Sequence, residues 1–241
     1  MDDRTAQLKK RILCFGDSNT YGVVSKWRQD GKPSARYNEA TRWPRVMQSC
    51  LGDEWEAIEE GMPGRTTIYG NIIEKEKQCS TAADPCVGID YLLPCLLSHW
   101  PIDVVILALG VNDLQINVHK DFVTEKDLYE GMKKLAEVVL SLPRPAEGEW
   151  NRRLYLMSPA PIVQAKGRLE VTEAYGGERG IGLSESFSGI YKSLARELGC
   201  RFIDAGNTAV PDEADGVHYT AESHIRLGKY VASRLKADLP E

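Results

Sequence analysis

Short apolar runs recur along the chain, separated by stretches in which apolar residues return at helical spacing. Ile12 to Phe15, Trp55 to Ile58, Val104 to Leu109, Leu154 to Met157 and Arg201 to Ile203 have the length and bounding residues of buried strands. Between them, Trp43, Val46, Met47, Cys50 and Leu51 form one helical stripe, with Pro44 near its start. A helix is expected over Ile89 to Leu97. Another runs from Glu125 to Leu142, with Thr124 as N-cap and Pro143 as its stop. Ser184 is placed to cap a helix carrying Phe187, Ile190, Tyr191, Leu194 and Leu198. Thr220 is placed to cap a last one with Ile225, Val231 and Leu235 facing inward.

This alternation of strand and helix predicts an α/β fold. Parallel strands need crossover connections, which are usually helical, so the pattern implies a three-layer α/β/α, flavodoxin-like domain with a five-stranded, mostly parallel sheet. Its 241 residues suit one domain over 1–241. Three segments break the pattern and read as long irregular loops: Tyr21 to Asn38, Arg65 to Gly88 and Pro159 to Leu183.

A formal net charge of -5 argues against a nucleic-acid partner, because such binding draws on clustered Lys and Arg. Met1 to Thr5 is polar with no long apolar stretch behind it, and no segment is apolar enough to cross a bilayer, so a cytoplasmic protein with no membrane partner is expected. Cys14, Cys50, Cys95 and Cys200 fall in apolar settings and read as buried free thiols. Cys79 and Cys86, in a polar insert, are the one candidate loop disulfide; their spacing matches no common zinc pattern.

In open parallel sheets, sites form beyond the carboxyl ends of the strands. Here those positions carry Gly16-Asp17-Ser18, Gly61-Met62-Pro63-Gly64 and Gly110-Val111-Asn112-Asp113, and Asp215-Gly216-Val217-His218 follows the fifth strand. An imidazole can take a hydroxyl proton while a carboxylate orients the ring, so Ser18, His218 and Asp215 form a candidate catalytic triad. Three donors could hold the resulting oxyanion: the backbone N–H of Ser18, that of Gly64, and the side-chain amide of Asn112. No Gly-x-Ser-x-Gly elbow occurs, which disfavours an ordinary α/β-hydrolase.

With these four segments in this order, the chain resembles the SGNH (GDSL-type) hydrolase superfamily. Its signature serine, glycine, asparagine and histidine match Ser18, Gly64, Asn112 and His218. Glu59-Glu60-Gly61, Arg65-Thr66-Thr67 and Asp215 to Thr220 are most similar to the arylesterase and acyltransferase branch. The resemblance implies a cofactor-independent serine esterase acting on short, acetyl-type esters through an acyl-serine, with acyl transfer to alcohols as a further activity. It also implies a homo-oligomer. Carbohydrate O-acetyl esters, lysophospholipids and thioesters are the alternative substrates within the superfamily. Two positions depart from the pattern: Asn19 replaces the leucine of Gly-Asp-Ser-Leu, and Gly64 stands where the arylesterase branch often has alanine. Asn19, Tyr21, Ile116 and Val217 are candidates for lining the substrate pocket.

Each residue also has a duller role open to it. Ser18 could cap a helix, Asn112 could form a turn, and His218 could lie on the surface. Asp17 and Asp113 read as structural, Asp204 and Asp212 as fallback acids, and His99, His119 and His224 as solvent-facing or packing residues. A rival reading, a flavodoxin-like module holding a phosphate or flavin on Gly16 to Gly22, leaves Asn112 and the Asp215 and His218 pair unexplained.

Overall fold

In the computed structural model, residues 9–25, 35–70, 86–119, 121–143 and 149–239 are described, without the side chains of 151 and 152. Five strands pair in parallel: β1 (Lys10–Gly16), β2 (Trp55–Gly61), β3 (Val104–Ala108), β4 (Leu154–Ser158) and β5 (Arg201–Asp204). Their order across the sheet is β2-β1-β3-β4-β5. Successive side chains of a strand point to opposite faces, so each strand serves two cores. Leu13 and Phe15 of β1 face one layer with Val105, Leu107, Leu154 and Leu156; Ile12 and Cys14 face the other with Val104, Ile106, Tyr155 and Met157.

The helices divide accordingly. After the short α1 (Ser18–Tyr21) come α2 (Trp43–Leu51), α3 (Gly88–Ser98), α4 (Glu125–Leu140), α5 (Trp150–Arg153), α6 (Leu169–Ala174), α7 (Gly177–Ser184), α8 (Phe187–Leu198) and α9 (Ala221–Asp238). Leu92, Cys95 and Leu96 of α3, Leu128, Met132 and Leu135 of α4, and Phe187, Tyr191 and Leu194 of α8 cover the first face. Trp43, Met47 and Leu51 of α2 and Leu227, Val231 and Leu235 of α9 cover the second. The helices α2 and α9 meet closely because Gly228 has no Cβ, which would lie 2.6 Å from that of Val46. Thr124 caps α4 in a capping box with Asp127, and Thr220 accepts from Ser223 N to cap α9.

Two expectations fail. Pro159 to Leu183 is not an irregular loop, since it contains α6 and most of α7. Ser184 does not cap α8: it is the last residue of α7, where its hydroxyl donates to Ile181 O and accepts from Ile162 N, so it braces the turn before α8 instead. Most of Arg65 to Gly88 and half of Tyr21 to Asn38 lie outside the described residues, as does Cys79, and with it the expected pairing to Cys86. Cys14, Cys50, Cys95 and Cys200 are free thiols. Among the described residues no helix is long and apolar enough to cross a membrane.

The register sets the position of the site. Gly16 pairs with Gly61 on one side and Ala108 on the other, so β1, β2 and β3 end level and release their loops at one rim.

Buried beside this rim, His224 of α9 lies between the rings of Tyr37 (5.2 Å) and Tyr219 (5.8 Å), and neither ring nitrogen has a partner among the described residues. Burial, followed by the charges of His218 and Arg42, pushes its pKa down to about 3 from an ordinary 6.5. The folded-state value is the lower one, so the stability gained by keeping the ring neutral is complete above about pH 6.5 and is lost as pH falls from there toward 3. His224→Phe should therefore flatten the acid side of the stability profile. Urea midpoints from pH 7 to pH 4 test this, and equal acid loss in both proteins would count against it.

Candidate active site

The turn out of β1 is built for close contact. A Cβ on Gly16 would sit 2.0 Å from Thr20 Oγ1, and one on Gly61 would sit 2.1 Å from Tyr21 N, so only glycines let α1 rest on the ends of β1 and β2. Asp17 caps α1 by accepting from Asn19 N at 2.8 Å. Its carboxylate thus occupies the helix end that a phosphate-cradle reading would leave for a ligand. Burial raises the Asp17 pKa to about 6, against the lowering effects of the Asn19 N–H, His218 and Arg65. Ser18 follows as the first residue of α1, only 3 % exposed.

The loop after β2 is held from beneath. Arg65, itself buried, donates through one guanidinium nitrogen to Gly16 O and to Glu60 O, and its guanidinium stacks 4.3 Å from the Phe15 ring centroid. Gly64, with φ of +81°, forms the outer bend of that loop. Asp113, fully buried, accepts from Thr67 N (2.8 Å) and Thr67 Oγ1 (2.6 Å), which fastens the same loop to the end of β3. Burial, more than any charge, raises the Asp113 pKa to about 7.

Asn112 lies in a short helical turn, Val111–Leu114, that begins at Gly110, φ +127°. Its Nδ2 donates to Arg65 O at 3.0 Å, while its Oδ1 accepts from Gln115 Nε2 and from Tyr175 Oη, each at 2.8 Å. With the carbonyl end doubly engaged, the amide has one orientation, and its second N–H hydrogen is left for the cleft.

The turn after β5 carries the acid and base. Asp215 Oδ1 accepts from Val217 N (3.0 Å) and His218 N (2.9 Å), and Oδ2 faces His218 Nδ1 at 2.7 Å. Burial pushes the Asp215 carboxyl up, but the His218 ring and the two backbone donors outweigh it, leaving the pKa below the ordinary carboxylate value. Gly216 allows the turn to pack on Val163, whose O would lie 2.1 Å from an added Cβ.

These segments enclose one cleft of about 450 Å3. Ser18, Gly64, Asn112 and His218 line it, together with Tyr21, Val23, Pro63, Gln115 and Tyr175. Of the expected pocket residues, Tyr21 is on the wall, but three are elsewhere. Asn19 turns inward, donating from Nδ2 to Val217 O (3.3 Å) and accepting from Tyr219 N (3.0 Å), and so joins the serine turn to the histidine turn. Val217 is buried in the core at 3 %, and Ile116 is 57 % exposed on the surface. The fallback acids are engaged elsewhere: Asp204 takes Ser188 Oγ and Gly206 N, and Asp212 takes Ser25 Oγ and Ala214 N. Gln115 and Tyr175 were not anticipated. Tyr175 lies in the segment read as irregular, and no periodicity marks it.

A model of the GDSL-like lipase/acylhydrolase family matches residues 14–225. Among solved structures, Est24, a carbohydrate acetylesterase from Sinorhizobium meliloti, is 33 % identical, covers 95 % of this chain and 99 % of its own, and superposes with a TM-score of 0.78. The M. smegmatis aryl esterase is 31 % identical over 95 % of this chain and 100 % of its own, TM-score 0.79. A putative arylesterase from Agrobacterium tumefaciens str. C58 is 30 % identical over 95 % and 100 %, TM-score 0.75. No curated protein matches the chain in sequence.

The Asn19 bridge makes a stability prediction. Asn19→Leu has similar bulk but strands Val217 O and Tyr219 N without their partner, at a cost of about 1–3 kcal/mol for each buried group. The urea unfolding midpoint should fall accordingly, and an unchanged midpoint would show that the bridge contributes nothing.

Proposed function

This chain belongs to the GDSL-like lipase/acylhydrolase family and is a carboxylic ester hydrolase; we propose that Ser18 is its nucleophile and that short, acetyl-sized esters are its substrates. One observation carries the assignment: Ser18, Gly64, Asn112 and His218 line a single cleft, and the carboxylate of Asp215 holds His218 from behind at 2.7 Å.

In this reading His218 Nε2 accepts the Ser18 proton as Oγ attacks the ester carbonyl. The carbonyl oxygen becomes an oxyanion, held by the N–H groups of Ser18 and Gly64 and by Nδ2 of Asn112. His218 then returns the proton to the leaving alcohol, and the Oγ–acyl bond remains. A water, deprotonated by the same imidazole, attacks the acyl-serine and restores the hydroxyl; a second alcohol in place of water gives acyl transfer. Asp215 keeps the Nδ1–H tautomer and stabilises the imidazolium formed in each half-reaction.

The acyl size follows from the walls. Tyr21, Val23, Gln115 and Tyr175 are among the residues that line a cleft of about 450 Å3, with polar groups interrupting its apolar surface. A long acyl chain would lay methylenes against those polar groups and strip them of water without replacing the hydrogen bonds. The name of the acetylesterase relative supports the same size class.

A p-nitrophenyl ester series from acetate to octanoate should show the highest kcat/KM at acetate. Ser18→Ala should abolish turnover; an active variant would refute the assignment. Asp215→Asn can keep the backbone contacts of its Oδ1 but presents an N–H donor to His218 Nδ1, and kcat should drop about 10⁴-fold. Asn112→Ala should cost about 10²–10³ in kcat. Tyr175→Phe removes one of two donors to the Asn112 carbonyl, and should lower kcat by about tenfold with KM little changed.

A further inference from the structure

Away from the cleft, three chemically different donors converge on one point under the end of β2. Tyr91, Cys95 and His99 are spaced four residues apart along α3 and its C-cap, and therefore stand one above another on one face. The His99 N–H still bonds to Cys95 O at 3.1 Å, which keeps the last of the three in helical register. Cys95 and His99 point at the Glu60 side chain. His99 Nε2 is 2.7 Å from Glu60 Oε1, and the ligand atoms of Glu60, Cys95 and His99 lie within 4.8 Å of one another.

We propose that Glu60 Oε1, Cys95 Sγ and His99 Nε2 form a binding site for a thiophilic divalent cation of the zinc class, with Tyr91 Oη or a water as the fourth ligand. The donor set is one sulfur, one imidazole and one carboxylate, the combination that Zn²⁺ takes in tetrahedral sites. Two of the ligands come from one helix at a spacing of four, which aims both at one ion. Bond lengths near 2.0–2.3 Å place tetrahedral ligand atoms roughly 3.5 Å apart, so the present separations need adjustments of about an ångström. The ion enters between His99 and Glu60, whose side chains are 29 % and 20 % exposed, while Cys95 forms the buried floor.

Charge balances on loading. Cys95 gives up its thiol proton to water as the S–metal bond forms, and thiolate plus carboxylate neutralise the 2+ ion. Burial, followed by the Glu60 charge, pushes the Cys95 thiol up and the neighbouring Arg65 cation offsets this only in part, so the S–metal bond itself must displace the proton; Arg65 Nη1 donates to backbone carbonyls rather than to the Glu60 carboxylate. The occupied site would clamp the last residues of β2 to the C-terminal turn of α3.

Co²⁺ is the probe, because a cobalt–thiolate bond gives a near-ultraviolet charge-transfer band and Zn²⁺ displaces it. The full-length protein should bind one equivalent of Co²⁺ with that band, lose it on adding Zn²⁺, and melt at higher temperature with Zn²⁺ present. Cys95→Ser should abolish the band. His99→Gln, a partly exposed change that leaves the core intact, should weaken Co²⁺ by at least about tenfold and remove the thermal shift. Absence of the band in the native protein, a band that survives in Cys95→Ser, or unchanged affinity in His99→Gln would each overturn the proposal.

Discussion

The buried guanidinium of Arg65 is the joint on which the rim of this sheet depends. Removing a positive charge from water is costly unless hydrogen bonds and aromatic faces replace the solvent. Here Gly16 O, Glu60 O and the ring of Phe15 do so, and Tyr91 adds a second ring at 5.2 Å. Burial still holds the Arg65 pKa below its ordinary value. In return, a single side chain ties together the ends of β1 and β2, while its backbone carbonyl accepts from Asn112 after β3. Three loops that would otherwise move separately are thereby given one geometry.

That rigidity decides what the cleft can do. A preorganised donor acts in a transition state only if it is already aimed, and Asn112 is aimed by contacts on both ends of its amide. Arg65 O takes one hydrogen, and Gln115 and Tyr175 hold the oxygen. The same economy applies to Asp215, whose two oxygens divide their work: Oδ1 shapes the turn and Oδ2 orients the ring. Structural and chemical roles in this site are shared within single side chains.

Much of this was legible in the residues. Alternating apolar strands and amphipathic helices located the five strands, and glycine-rich strand ends marked the rim; the caps at Thr124 and Thr220 followed from residue type alone. Helices α6 and α7 were not legible. Gly177-Glu178-Arg179-Gly180-Ile181-Gly182 has poor helix propensity and no apolar stripe, and the turn before it folds back so tightly that a Cβ on Gly180 would meet Tyr175 O at 1.7 Å. Tyr175 was hidden with it. Asn19 misled for a different reason: beside a reactive serine a polar residue suggests a substrate contact, but its partners are backbone groups nearly 200 residues away, which no local pattern encodes.

That distance bears on how the chain is made. Closing a contact between Asn19 and the Val217 to Tyr219 segment spans 198 to 200 residues, and such long-range closures are among the slow steps of folding. During synthesis, the serine turn, Gly64 and Asn112 all emerge before His218. A nascent chain can thus carry β1 to β3 and their loops before the turn that meets the serine turn has been made. The order of residues along the chain acts as a timing device, joining the serine turn to the histidine turn only after β4 and β5 have been made.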